Sequence, residues 1–202
     1  MEGGKDEKTT FRIEAFSDAI FAFSMTLLVF SIKTPDVPDT AVSGTITAWI
    51  LTLLPKFLIY VFTFVMVGIY WIAHHRTFEH IIRHDSRLMW LNLAFLLVIS
   101  LLPFPTAILG EYGDNSEAVA LYGFSMGLSG ALLMAVWAYA TDGKRLVSKS
   151  MPDEEIRGTR ARGTATAGIF LLSAPLAFID PTLAMLSWLS IPFLQGFMAK
   201  KG

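Results

Sequence analysis

The chain has 202 residues, 53% of them hydrophobic and only 16% charged, with a formal net charge of −1 and a mean hydropathy of +0.54. A water-soluble domain carries roughly a quarter charged residues, so the polar surface it would need is missing here, and the charge balance gives no attraction to nucleic acid. The absence of cysteine removes disulfides and thiolate chemistry.

A membrane span takes ~20 residues, so the length accommodates about six spans with their connections and little else. The alternating pattern of a membrane barrel is absent, which leaves helices as the spanning structure. The expected fold class is an all-α integral membrane protein, with residues 1–202 forming one domain.

The first expected span, 11–32, ends before Thr34-Pro35, where proline stops a helix. Arg12, Glu14 and Asp18 interrupt its apolar run and no small-residue cleavage site follows, so it reads as a retained helix and not a secretory leader. The second span is 44–73, with Pro55 as a point where it can kink. The stretch from His74 to Arg87, HHRTFEHIIRHDSR, reads as a short basic loop. The third span, 88–109, carries Pro103 and Pro105 near its far end, and the fourth, 118–140, follows an acidic turn. The longest polar stretch, Thr141 to Arg162, contains Asp153-Glu154-Glu155, a solvated helix start. Spans 163–179 and 181–199 are separated by Asp180-Pro181; each is short, so a re-entrant pair or one bent helix fits them too.

With six spans and the N-terminus inside, every basic residue except Lys33 and Lys56 falls on the cytoplasmic side. That split follows the positive-inside rule and puts both termini in the cytoplasm.

Polar residues inside spans are the informative ones, because a charge at the bilayer centre costs at least ~2.5–3.5 kcal/mol and persists only where something pairs or hydrates it. At about 100° per residue, Phe16, Ile20, Phe23, Leu27 and Phe30 lie within about 40° of one line, with Ala19 and Thr26 on its flank and Asp18 turned away. Such a stripe either faces lipid and neighbouring helices or lines a narrow pore whose apolar rings gate by dewetting. In the pore case Asp18 is a structural group buried against its own subunit. Periodicity leaves both readings open.

The segment Arg12-x-x-x-Phe16-Ser17-Asp18 resembles the signature of the transmembrane-protein-175 family of potassium channels, in its short bacterial form. The likeness continues through Ala22-x-x-x-Thr26-Leu27-Leu28-Val29, Trp71-x-x-His74-His75-Arg76, and Trp90-Leu91-Asn92 to Pro103-Phe104-Pro105. It covers the first half of the chain at the level of motifs and the whole chain in span number. The resemblance implies a homotetramer of six-helix subunits around a central pore lined by helix one, selective for potassium and homologous to a lysosomal channel. It places the constriction at Phe23, Leu27 and Phe30 and an ion-coordinating hydroxyl at Thr26. Phe23 and Phe30 are bulkier than the aliphatic residues usual there. No TVGYG-like filter segment is present. The resemblance also implies a network in which Ser17 and Asp18 meet Trp71, His74 and Asn92, since tryptophan and histidine N–H groups are donors that a buried carboxylate needs. Arg12 either joins it or reaches lipid phosphates.

Other clusters carry less. His74, His75, His80 and His84 with Glu79 and Asp85 have no HExxH or comparable ligand spacing and read as interfacial, with pH modulation as a secondary expectation. Gly123-x-x-x-Gly127 reads as close helix packing. The basic cluster of Lys144, Arg145, Lys149, Arg157, Arg160 and Arg162 reads as a topology signal touching anionic lipid. Ser17, Ser24 and Thr26 have no histidine within helical reach, and Asp18 and Asp180 fall on opposite sides of the membrane, so no enzyme is expected. The function expected is passive potassium conduction in a prokaryotic plasma membrane, needing no cofactor. The alternatives are an ion- or proton-coupled secondary transporter using Asp18 and the histidines as relays, and a non-conducting scaffold.

Overall fold

The structure, a computed structural model, describes residues 3–32, 46–191 and 193–194. The expected loop after Thr34-Pro35, the first residues of the second expected span, the end of the sixth, and Lys200 and Lys201 lie outside these residues. Helix α1 (Gly3–Leu27) tightens into a 3-10 turn at Leu28–Ser31. It is followed by α2 (Ile46–Glu79), α3 (Ser86–Leu101), α4 (Pro103–Glu111), α5 (Ser116–Thr141), α6 (Asp153–Leu176) and α7 (Pro181–Trp188). No strand occurs among the described residues; an isolated antiparallel bridge joins Ile81 and Val147.

Among the described residues, four segments are long and apolar enough to cross a membrane: Thr10–Ser31, Ile50–Glu79, Ser86–Glu111 and Ser116–Lys144. The protein is therefore an all-helical, multi-pass membrane protein. The fifth and sixth expected spans correspond to the apolar half of α6 and to α7, whose apolar stretches are shorter.

Several boundaries differ from those expected, each for a local reason. Helix α2 runs on to Glu79, so His74, His75 and Arg76 are helical and not in a loop. The continuation is held by burial: Phe78 joins Leu88, Trp137, Leu146 and Val147 in a small second core at the loop end of the bundle. The connection after α2 is latched there by Ile82 N–H donating to the Leu146 carbonyl at 2.9 Å, and Asp85 caps α3 by accepting from Leu88 N–H at 2.8 Å. Pro55 is accommodated inside α2. The third expected span is two helices, α3 and α4, because Pro103 offers no N–H to the Ile99 carbonyl and Pro105 none to Leu101. Helix α6 begins ten residues before the expected span, with Asp153, Glu154 and Glu155 in its first turn complementing the helix dipole. Asp180 caps α7, accepting from Thr182 and Leu183 N–H.

The main core joins the buried side of α1 to α2, α3, α5 and α7 through Phe21, Val67, Phe95, Ile99, Tyr122 and Trp188. Helices α5 and α6 approach most closely at glycine. A Cβ on Gly127 would sit 2.9 Å from the Leu171 backbone nitrogen, and one on Gly123 3.2 Å from the Phe170 carbonyl oxygen. Small residues permit this backbone contact, and with it the dispersion energy that holds helices together where lipid leaves no hydrophobic drive.

Candidate functional site

The orientation of α1 follows from its hydroxyl residues. Thr10, Ser17, Ser24 and Ser31 recur every seven positions and are all buried, with Phe21 and Leu28 filling the same face. A seven-residue repeat keeps one stripe of a helix against its neighbours. The stripe is fastened to α3 at two depths. Asn92 Nδ2 donates to Ser17 Oγ at 3.1 Å, and Ser24 Oγ donates to the Ile99 carbonyl at 2.7 Å. The second bond serves an acceptor to which Pro103 has no N–H to offer; Leu102 N–H, at 3.2 Å, also turns towards it.

The expected network residues fall into two groups. Ser17 spends its proton on the Ile13 carbonyl at 2.8 Å, so its oxygen accepts from the Asn92 amide and the Asn92 carbonyl oxygen is turned to His74 Nε2 at 2.9 Å. His74 Nε2 is then the donor. Its ring is enclosed by aromatic faces, stacked on Phe78 at 4.4 Å and Phe95 at 5.6 Å and tilted against Phe21 at 5.7 Å. Asp18 is apart from this chain. It accepts from Trp71 Nε1 at 2.8 Å, and Trp71 stacks on His75 at 5.9 Å. Asp18 is exposed on the single subunit, which corrects the expectation of a carboxylate buried within it: position 18 falls one step beyond the hydroxyl stripe, at the open edge of the α1–α2 seam. Arg12 is exposed as well.

Of the expected pore residues, Phe23 and Phe30 are 62% and 74% exposed and Phe16 51%; Thr26 is exposed and Leu27 half-buried. The arc opposite the hydroxyl stripe also carries Ala15, Ala19 and Ala22, all exposed. Thr26 Oγ1 donates its proton to the Phe23 carbonyl at 2.8 Å. Its lone pairs are left outward, an oxygen able to accept a cation but not to donate towards one. Among the described residues no group of three or more histidine or acidic side chains could hold a metal ion.

Ser24, Phe21 and Phe95 were not singled out from the sequence. The seven-residue recurrence of hydroxyls was the available signal for Ser24. No local pattern marks Phe21 or Phe95, because their importance lies in converging on His74 from two helices.

Residues 12–103 match the family model described as endosomal/lysosomal potassium channel TMEM175. A potassium channel of Streptomyces collinus is 32% identical over 192 residues, covering 92% of this chain and 91% of the relative. One from Chamaesiphon minutus is 30% identical over 194 residues, covering 95% and 92%. The crystal structure of a lysosomal potassium-selective channel TMEM175 homologue from the latter organism superposes with a TM-score of 0.81 at 26% identity, covering 95% of this chain and 98% of that one. Near full-length agreement in sequence and fold, through the segment that carries the α1 motif, makes this chain a member of the TMEM175 family of ion channels.

Proposed function

We propose that the chain is one subunit of a potassium-selective channel that conducts passively through a central pore lined by α1. Four copies surround the pore, residues 1–202 forming one transmembrane domain in each. Six spans leave both termini in the cytoplasm of a prokaryotic plasma membrane, with the basic loops inside. Phe23, Leu27 and Phe30 narrow the pore as apolar rings that gate by dewetting, and Thr26 presents its outward lone pairs to the ion. Hydrogen bonds that Ser17 accepts from Asn92, Asp18 accepts from Trp71 and Ser24 donates to the Ile99 carbonyl fix the rotation of α1, and so which residues face the pore. Trp71, His74 and Asn92 supply the other half of that fixing. Phe16 and Arg12 lie at the cytoplasmic mouth.

The observation that carries this reading is the character of the free face of α1. It combines alanines and a hydroxyl with phenylalanine, a composition suited to close approach of other helices around a water path. The free face of α2, by contrast, is Ile50, Leu51, Leu54, Phe57, Leu58 and Val61, which suits lipid. The names of the two bacterial relatives, both potassium channels, supply the ion.

The test is potassium and sodium flux in liposomes holding the purified protein, native and Phe23→Ala. Potassium-preferring flux that rises, or loses its preference, in the variant supports an α1 pore. Saturable flux that collapses in Asp18→Asn points to a carrier, and silence in every variant to a scaffold.

A further inference from the structure

Between α2, α5 and α6, away from the free face of α1, lies a cavity of about 400 Å³. Its wall changes character along its length. At one end Arg76, His80, Glu155 and Arg162 line it; at the other, Ile69, Ile72 and Met134. The gradient is written into the helices. Along α2, positions 69, 72 and 76 share a face that passes from isoleucine to arginine, and His80 follows directly after the helix. On α6 the N-terminal turns bring Glu155, Thr159 and Arg162 to the same end.

The charged end is arranged for an anion. Arg162 Nη2 donates to Thr159 Oγ1 at 3.3 Å, which steadies the guanidinium along the wall. The one carboxylate there, Glu155, lies 3.4 Å from His80 Nε2. Two guanidiniums and one carboxylate thus line this end. Planar guanidinium forks match phosphate oxygens in paired hydrogen bonds. Trp137 borders the cavity, its indole N–H donating to the Ile156 carbonyl at 3.3 Å, an amphipathic ring at the border between the two halves.

We infer that this cavity is a binding site for an anionic phospholipid, the headgroup phosphate held between Arg76 and Arg162 and an acyl chain lying along Ile69, Ile72 and Met134. A free phosphate ion would use the charged end and leave the apolar half unexplained; a lipid uses both. The site touches none of the proposed pore residues, and its test does not depend on conduction.

The experiment measures lipid binding by native mass spectrometry of the detergent-solubilised full chain, titrated with phosphatidylglycerol, phosphatidylcholine and inorganic phosphate. Arg76→Gln/Arg162→Gln is compared with Arg157→Gln/Arg160→Gln, which removes the same charge from α6 outside the cavity lining. At about 1 kcal/mol per basic residue, phosphatidylglycerol should bind roughly 30-fold more weakly to the first variant, and as to the native chain in the second. Arg76→Gln alone, an exposed change expected to leave folding intact, should cost about fivefold. Equal losses in both double variants, no loss in Arg76→Gln, or inorganic phosphate displacing the lipid at equal concentration would each overturn the proposal.

Discussion

The α1–α3 seam and the α5–α6 seam both join membrane helices, by opposite means. Where α5 meets α6, glycine brings backbone against side chain and backbone with no room for an added carbon. Where α1 meets α3, the helices are tied by Ser17–Asn92 and Ser24–Ile99 hydrogen bonds and by the His74 ring among phenylalanines of α1, α2 and α3. Close packing acts all along a surface and has one best register. Hydrogen bonds are few and directional, and each can be exchanged for another. The first seam suits a fixed scaffold; the second suits a helix whose rotation must be set accurately and can be reset.

The sharpest way to break the contrast is to fill the glycine seam. Gly127→Leu places atoms where Leu171 already stands, and overpacking of this kind costs roughly 1–3 kcal/mol or more; a thermal melt in detergent should show the largest loss of any substitution here. Asn92→Ala comes next. It strands the buried His74 Nε2 donor, and an unmet buried donor costs about 1–3 kcal/mol, while flux should change more than the melt suggests because the rotation of α1 is freed. Ser24→Ala should cost only about 1 kcal/mol, since the Ile99 carbonyl retains Leu102 N–H; its expected mark is altered potassium flux at nearly native stability. A Ser24→Ala channel indistinguishable from native in flux would remove this bond from the account.

The smallest effect concerns the loop end. The Asp85 carboxylate is held below the usual range, first by the Tyr139 hydroxyl at 2.6 Å and then by Leu88 N–H. A depressed carboxylate contributes stability above its ordinary value near ~3.9, and that contribution is lost as pH falls through the lower folded value. Melts between neutral pH and pH 3 should therefore fall more steeply for the native chain than for Tyr139→Phe. Parallel curves would show that the bond does not matter in solution.

The helical class and the first four membrane segments were legible because hydropathy and proline breaks are local properties. The α1 motif was legible through its family likeness, and the glycine pair of α5 through its spacing. The end of α2 was misread because burial of Phe78 against Trp137 and Val147 outweighs the polar composition of residues 74–79, and that burial is tertiary. The exposure of Asp18 was missed because the stripe was centred on phenylalanine. The hydroxyls at 10, 17, 24 and 31 set the buried side of α1, about a quarter turn away from where the apolar line alone would place it.

The account turns on which face of α1 meets water, and the cysteine-free chain allows that to be measured directly. Single Thr26→Cys and Val61→Cys channels in liposomes would be treated with a water-soluble, charged thiol reagent while potassium flux is recorded. The account predicts block at position 26, on the free face of α1, and none at position 61, on the lipid-suited face of α2. Block at 61 with position 26 untouched would contradict it and move the pore to another helix.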